Sequence, residues 1–149
     1  MNAEKIAIAS DHAGYRLKTT LCAALSDLGY APLDLGTANE DSVDYPDFAA
    51  ALVAAIGDGR ARRGVLVCGS GIGISMAANR HKGIRAAPCH SAEAARLSRQ
   101  HNDANVLALG ARFIDEETAK QCLKVFLETD FEGGRHARRV GKFDSIGGR

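Results

Sequence analysis

The sequence predicts a small, doubly wound α/β sandwich built around one sheet of five parallel strands, and three observations lead there. Short apolar runs such as Val65-Leu66-Val67 have no polar alternation, which marks strands buried on both faces. Each run is followed by a stretch with apolar residues at helical spacing, and regular strand-helix alternation places strands parallel with helices on both sides. The 149 residues suffice for one core and leave little room for a second.

The first strand is read at residues 5–9, and polar Ser10-Asp11-His12 follows it. Tyr15, Leu17, Leu21, Cys22, Leu25 and Leu28 then recur at helical spacing until Gly29 stops them. The second unit pairs a strand at 31–35 with a helix at 48–56, and the third a strand at 64–68 with a helix at 72–78. The fourth pairs 84–89 with 92–100, and the fifth pairs 106–109 with 116–127. Fixed-period repeats, low-complexity tracts and Pro- or Ser-rich linkers are missing, so residues 1–149 are read as a single domain. Residues 131–149 differ in kind, with Arg135, Arg138, Arg139, Lys142 and Arg149 set among five glycines. They are read as a mobile or packing tail outside the sheet.

Composition excludes several functions. Nineteen Lys and Arg against eighteen Asp and Glu leave a net charge of +1, so no global field recruits nucleic acid or an anionic membrane. Aromatic residues are only 5% of the chain, too few for base-stacking platforms. No apolar stretch approaches the roughly 18–20 residues that cross a bilayer, and no signal peptide is evident, so the expected location is cytoplasmic. Cys22, Cys68, Cys89 and Cys122 are too far apart for a Cys-x-x-Cys metal or dithiol unit, and reduced thiols are expected.

Ligands of open α/β sheets gather where strands end, which directs attention to three loops. Ser10-Asp11-His12 follows strand 1, Cys68-Gly69-Ser70-Gly71-Ile72-Gly73-Ile74-Ser75 follows strand 3, and His101-Asn102-Asp103 precedes strand 5. In the second loop, glycines free backbone N–H groups to face an anion at a helix N-terminus. It lacks the Lys-Ser/Thr ending of a nucleotide P-loop, and Gly69-x-Gly71-x-Gly73 is not the dinucleotide spacing. Cys68 opens this loop, where N–H groups and a helix terminus favour a thiolate that can act as nucleophile or base; a small packing residue is the bland alternative.

His12 is either a phosphate donor or a solvated loop side chain, and His101 at a helix end is either functional or simply favoured there by the dipole. His136 is expected to be solvated. Arg135 and Arg139, four apart, share one face of any helix the tail forms and can then close on one phosphate. The other reading is a solvated basic tail.

Several segments together resemble one family, the type B ribose-5-phosphate isomerases, which also includes galactose-6-phosphate isomerase subunits. They are Ser10-Asp11-His12-Ala13-Gly14, Asp44-Tyr45-Pro46, the loop 68–75, Ala77-Ala78-Asn79, Gly83-Ile84-Arg85-Ala86, the run 98–107 containing Arg99-Gln100-His101-Asn102-Asp103, and Glu132-Gly133-Gly134-Arg135-His136. The match runs over nearly the whole chain. The resemblance implies a Rossmann-like sheet and a homodimer with sites at the subunit interface, with pairing into tetramers left open. It implies interconversion of an aldose phosphate and its ketose without cofactor or metal.

By that resemblance Cys68 is the base that moves a proton between C1 and C2. Ser70 and the backbone of Gly69, Gly71, Ile72, Gly73, Ile74 and Ser75 hold the enediolate oxygens. His101 helps open the sugar ring, Asp11 and Asn102 hold hydroxyls or the ring oxygen, and His12, Arg112, Arg135 and Arg139 bind phosphate, some from the partner chain. Tyr45 matches a motif near the site without an assigned role. Family members without this cysteine carry a glutamate where Ile74 stands, so the chain is of the cysteine type.

Ribose 5-phosphate and ribulose 5-phosphate are the expected pair. Allose 6-phosphate and the four-carbon erythrose/erythrulose 4-phosphate pair are alternatives with the same chemistry. A non-catalytic phosphosugar-binding domain and a thiol-dependent transferase or hydrolase are the competing classes.

Overall fold

A computed structural model describes residues 2–146. Five strands, β1 (Lys5–Ser10), β2 (Ala31–Asp34), β3 (Arg63–Cys68), β4 (Ala86–Pro88) and β5 (Val106–Gly110), alternate with α1 (Tyr15–Asp27), α2 (Tyr45–Gly57), α3 (Ile72–Asn79), α4 (Ala92–Asn102) and α5 (Glu116–Glu128). A sixth helix, α6 (Arg135–Gly141), and a 3₁₀ turn at Phe143–Ser145 close the described chain. All strands pair parallel in the order β2-β1-β3-β5-β4. This is the doubly wound arrangement that the alternation predicts.

The period-two geometry of a strand divides the core into two layers. Ile6, Ile8, Val65, Val67, Leu107 and Leu109 face α1, α4 and α5, where Leu21, Leu25, Leu123 and Phe126 are fully buried. The alternate residues Ala7, Ala9, Leu66, Val106 and Ala108 face α2 and α3 through Leu52 and Ile74. Cys22 and Cys122 lie on apolar helix faces as expected, and all four cysteines are free thiols. Lys18, also fully interior, reaches Asp34 with bonds of 2.7 and 2.8 Å and so ties α1 to the edge strand β2. A buried ammonium demands such a partner.

Three elements differ from their sequence-based outlines, each for a local reason. Helix α2 begins at Tyr45 because Pro46 lies in its first turn, where the missing N–H is not needed. Strand β4 shortens to three residues because the Ile84 N–H is taken by the His81 carbonyl in the turn before it, while Asn79 covers the free edge of Ala86, accepting its N–H through Oδ1 and donating to its carbonyl through Nδ2. Residues 135–141 form a helix that lays His136 against α4, so His136 is buried and not solvated as the sequence suggests. Arg149 lies outside the described residues. No helix is long and apolar enough to cross a membrane among those residues.

Candidate active site

Parallel register brings the ends of β1, β3 and β5 together, and the loops that leave them interlock. The N–H of Asp11 donates to the Val67 carbonyl, that of Ala111 to the Cys68 carbonyl, and that of Arg112 to the Gly69 carbonyl. Gly110 lies against the loop so closely that a Cβ there would sit 2.4 Å from the Ser70 carbonyl oxygen. The floor of the site is therefore backbone pressed on backbone.

Cys68 is 4% exposed at the end of β3, and its Sγ accepts the Gly71 N–H at 3.2 Å. Gly71 then takes the left-handed conformation (φ +77°) that turns the chain into α3. Of the backbone donors from Gly71 to Ser75, three are engaged: Gly71 on Sγ, Ile72 on Ser70 Oγ at 3.1 Å, and Ser75 on the Gly71 carbonyl at 3.4 Å. The N–H groups of Gly73 and Ile74 have no partner among the described residues, and they head α3 where the helix dipole adds its positive end. The predicted five-residue cradle is in fact a two-donor one. Ser70 Oγ, accepting from Ile72, keeps its own hydroxyl proton for a ligand.

Side chains wall this cradle. The Tyr45 ring rests on Gly73, where a Cβ would meet Tyr45 Cζ at 2.6 Å, and the Arg112 guanidinium rests on Gly69, with Nη1 3.0 Å from the corresponding point. A side chain at position 73 would collide with the Tyr45 ring, whereas one at 69 would require the flexible Arg112 guanidinium to shift by a few tenths of an ångström. Asp11, buried at 6%, accepts the Gly14 N–H through Oδ1 at 3.1 Å. His12 Nδ1 accepts the Val43 N–H at 3.1 Å, so a neutral ring carries its proton on Nε2, ready to donate.

The remaining sequence-predicted residues lie elsewhere. His101 and Asn102 end α4, which runs against the strands and leads into the start of β5. Four residues of strand at about 3.3 Å each put that edge roughly 13 Å from the Cys68 end. Asp103, left-handed at φ +48°, stops α4 and is held by Arg99 Nη1 on Oδ1 (2.9 Å) and Arg85 Nε on its carbonyl (2.7 Å). Arg135 and Arg139 do share the exposed face of a helix, but that helix packs on α4. One chain therefore unites Asp11, His12, Tyr45, residues 68–75 and Arg112, and separates them from His101, Asn102, Arg135 and Arg139.

Glu132 and His136 beside His101 are the residues sequence reasoning passed over as functional. The His101 and His136 rings stack at 4.3 Å, and Glu132 Oε1 is 3.6 Å from His136 Nε2 and 4.0 Å from His101 Nε2. The signals for them are the four-residue spacing of Glu132 and His136 and the place of both in the segment Glu132-Gly133-Gly134-Arg135-His136. Burial, then the charges of His101 and Arg135, hold the His136 imidazole below its ordinary pKa.

A doubly wound parallel sheet with open backbone donors and a thiol at its strand ends defines a class, the Rossmann-like α/β proteins. Within it the chain belongs to the ribose/galactose isomerase family, whose model matches residues 6–143, and it is an isomerase. It is 43% identical over 143 residues to ribose-5-phosphate isomerase B of Escherichia coli strain K12, covering 96% of each chain. It is likewise 43% identical over 139 residues to D-erythrulose-4-phosphate isomerase of Pectobacterium atrosepticum, covering 92% of this chain and 91% of that one. The structure of Clostridium thermocellum ribose-5-phosphate isomerase B superposes with a TM-score of 0.94 at 48% identity, over 95% of this chain and 96% of the other.

Proposed function

We propose that the protein interconverts D-ribose 5-phosphate and D-ribulose 5-phosphate through an enediolate, with Cys68 as the base. The observation that carries this reading is the single turn in which Cys68 Sγ accepts one N–H while the next free donors, Gly73 and Ile74, stand open. Removing a proton beside a carbonyl needs a base and, next to it, donors for the oxygen that becomes negative. The Cys68 thiolate takes the proton from C2 and returns it to C1, while Gly73, Ile74 and the Ser70 hydroxyl meet the enediolate oxygens. Tyr45 walls the cradle on the α2 side.

Phosphate falls to His12 Nε2–H and Arg112 from this chain and to Arg135 and Arg139, whose forked donors suit it. His101 opens the sugar ring, and Asp11 and Asn102 hold hydroxyls or the ring oxygen. Since His101, Asn102, Arg135 and Arg139 sit at the opposite sheet edge, the complete site requires a second copy whose α4–α6 edge meets the Cys68 edge of the first. Ile72 and Met76, one turn apart on α3 and 46% and 65% exposed, give that homodimer an apolar contact surface.

Proton NMR of the protein with ribose 5-phosphate in D2O, beside Cys68→Ala, tests the reading. Ribulose 5-phosphate carrying solvent deuterium at the exchanged carbon, from the native protein alone, is expected. Equal turnover by Cys68→Ala would remove Cys68 as the base. The second reading, the erythrose/erythrulose 4-phosphate pair, is favoured by the Pectobacterium relative. A higher kcat/KM on the four-carbon sugar than on ribose 5-phosphate would establish it.

A further inference from the structure

The cluster at the far edge has a chemistry of its own. One ligand atom from each of His101, Glu132 and His136 lies within 4.8 Å of the others, which is two imidazoles and a carboxylate, a donor set suited to a borderline divalent cation. His136 is 7% exposed, and its Nε2 is a buried polar atom with no hydrogen-bond partner among the described residues. Native folds seldom leave such an atom orphaned. It faces Glu132 Oε1 at 3.6 Å, too long for a hydrogen bond and well placed for an ion between them.

We propose that His101, Glu132 and His136 form a binding site for one Zn2+ ion, and that its occupancy withdraws His101 from the reaction. His136 is the fixed side chain of this site, and the Glu132 backbone is anchored beside it. The backbone N–H of Glu132 is held by the Gln100 carbonyl, and His136 is packed in α6 against α4. His101, 40% exposed, is the ring free to turn out of the stack so that its nitrogen points at the ion rather than alongside it. Three protein ligands leave the fourth tetrahedral position to water. Two further facts set the affinity. Three protein ligands favour a tight site, whereas the positive charges of Arg135 and Arg139 nearby oppose a cation, so micromolar rather than nanomolar binding is expected. Once Zn2+ holds the His101 nitrogen, the ring no longer accepts or donates a proton.

The inhibitory part rests on the role proposed for His101; the site itself does not. Calorimetric titration with Zn2+ in a Cys68→Ser background, which removes the active-site thiol as a competing ligand, is expected to give one ion per chain. Glu132→Gln, an exposed and nearly isosteric change, should weaken binding about tenfold or more, and His136→Gln should do the same. Mg2+, which prefers oxygen ligands, should not compete. Absence of binding, or binding unchanged in Glu132→Gln, overturns the site. In the native protein Zn2+ should suppress turnover over the same concentration range, and Glu132→Gln should restore it. Binding that leaves turnover intact overturns the inhibitory role alone. A protein that binds Zn2+ yet isomerises no sugar phosphate would instead point to failure of the proposed reaction.

Discussion

The two edges of the sheet are built in different ways. At the strand-end edge, backbone does most of the work: Gly71 N–H on sulfur, two open donors, and carbonyls of Cys68 and Gly69 locked to the β5 loop. At the opposite edge the candidate groups are side chains at helix ends, namely His101, Asn102, Arg135 and Arg139, steadied by Asp103 and by a stacked His136. The first edge suits proton transfer, which tolerates little displacement. On the proposed reaction, the second suits charge recognition and ring opening, which long side chains would deliver from a second copy.

If that division holds, the heaviest loss belongs to the first edge. Cys68→Ala should lower kcat by about 10³- to 10⁴-fold, in line with removal of a positioned base, while phosphate-ligand binding persists; stopped-flow or NMR turnover measures it. Next is Gly73→Ala, whose new methyl would overlap Tyr45 and push the ring or the loop by about an ångström. About a 10²-fold loss is expected, and partial recovery in Gly73→Ala combined with Tyr45→Ala would locate the damage in that clash. An unaffected Gly73→Ala enzyme would mean that the loop need not be held closed.

The far edge should respond more gently. Arg135→Ala should raise KM roughly tenfold with kcat little changed, because phosphate attraction is shared by ground and transition states. Mixing Arg135→Ala with Cys68→Ala chains sharpens the point, since half of randomly paired dimers would then own one intact site. Activity at low substrate should recover to about a quarter of native, and no recovery after demonstrated subunit exchange would contradict shared sites. The smallest effect concerns pH. His136 has a folded pKa below its unfolded value, so the unfolded chain binds the proton more readily and stability falls as pH drops below about 6.5. Thermal melts should show that decline, and His136→Gln should flatten it.

The legibility of this chain follows the same divide. Strands that pack on both faces must be apolar throughout, so β1, β3 and β5 announce themselves, and the glycine-rich turn after β3 follows from its composition. Helix α6 does not, because Arg135-His136-Ala137-Arg138-Arg139-Val140-Gly141 has too few apolar residues to show a helical stripe. It is stabilised by laying His136 on His101, a contact 35 positions apart in the chain. For the same reason spacing does not reveal that His101 and Cys68 occupy opposite edges; strand direction does. Which of five backbone donors remain open at Gly71–Ser75 depends on bonds to Sγ and Ser70 Oγ that no residue pattern encodes.

The near-contact of Gly110 with the Ser70 carbonyl also bears on how such a pocket diversifies. Gly110 cannot gain a side chain without displacing the Ser70 carbonyl and unseating β5 from β3, so this part of the strand-end surface resists remodelling by substitution. On the proposed dimeric site, changes in sugar length would instead be written into the removable walls, at Tyr45, at Arg112 and at the far-edge groups of a second chain. A selection for new substrates would do best to randomise those positions and leave the ridge alone.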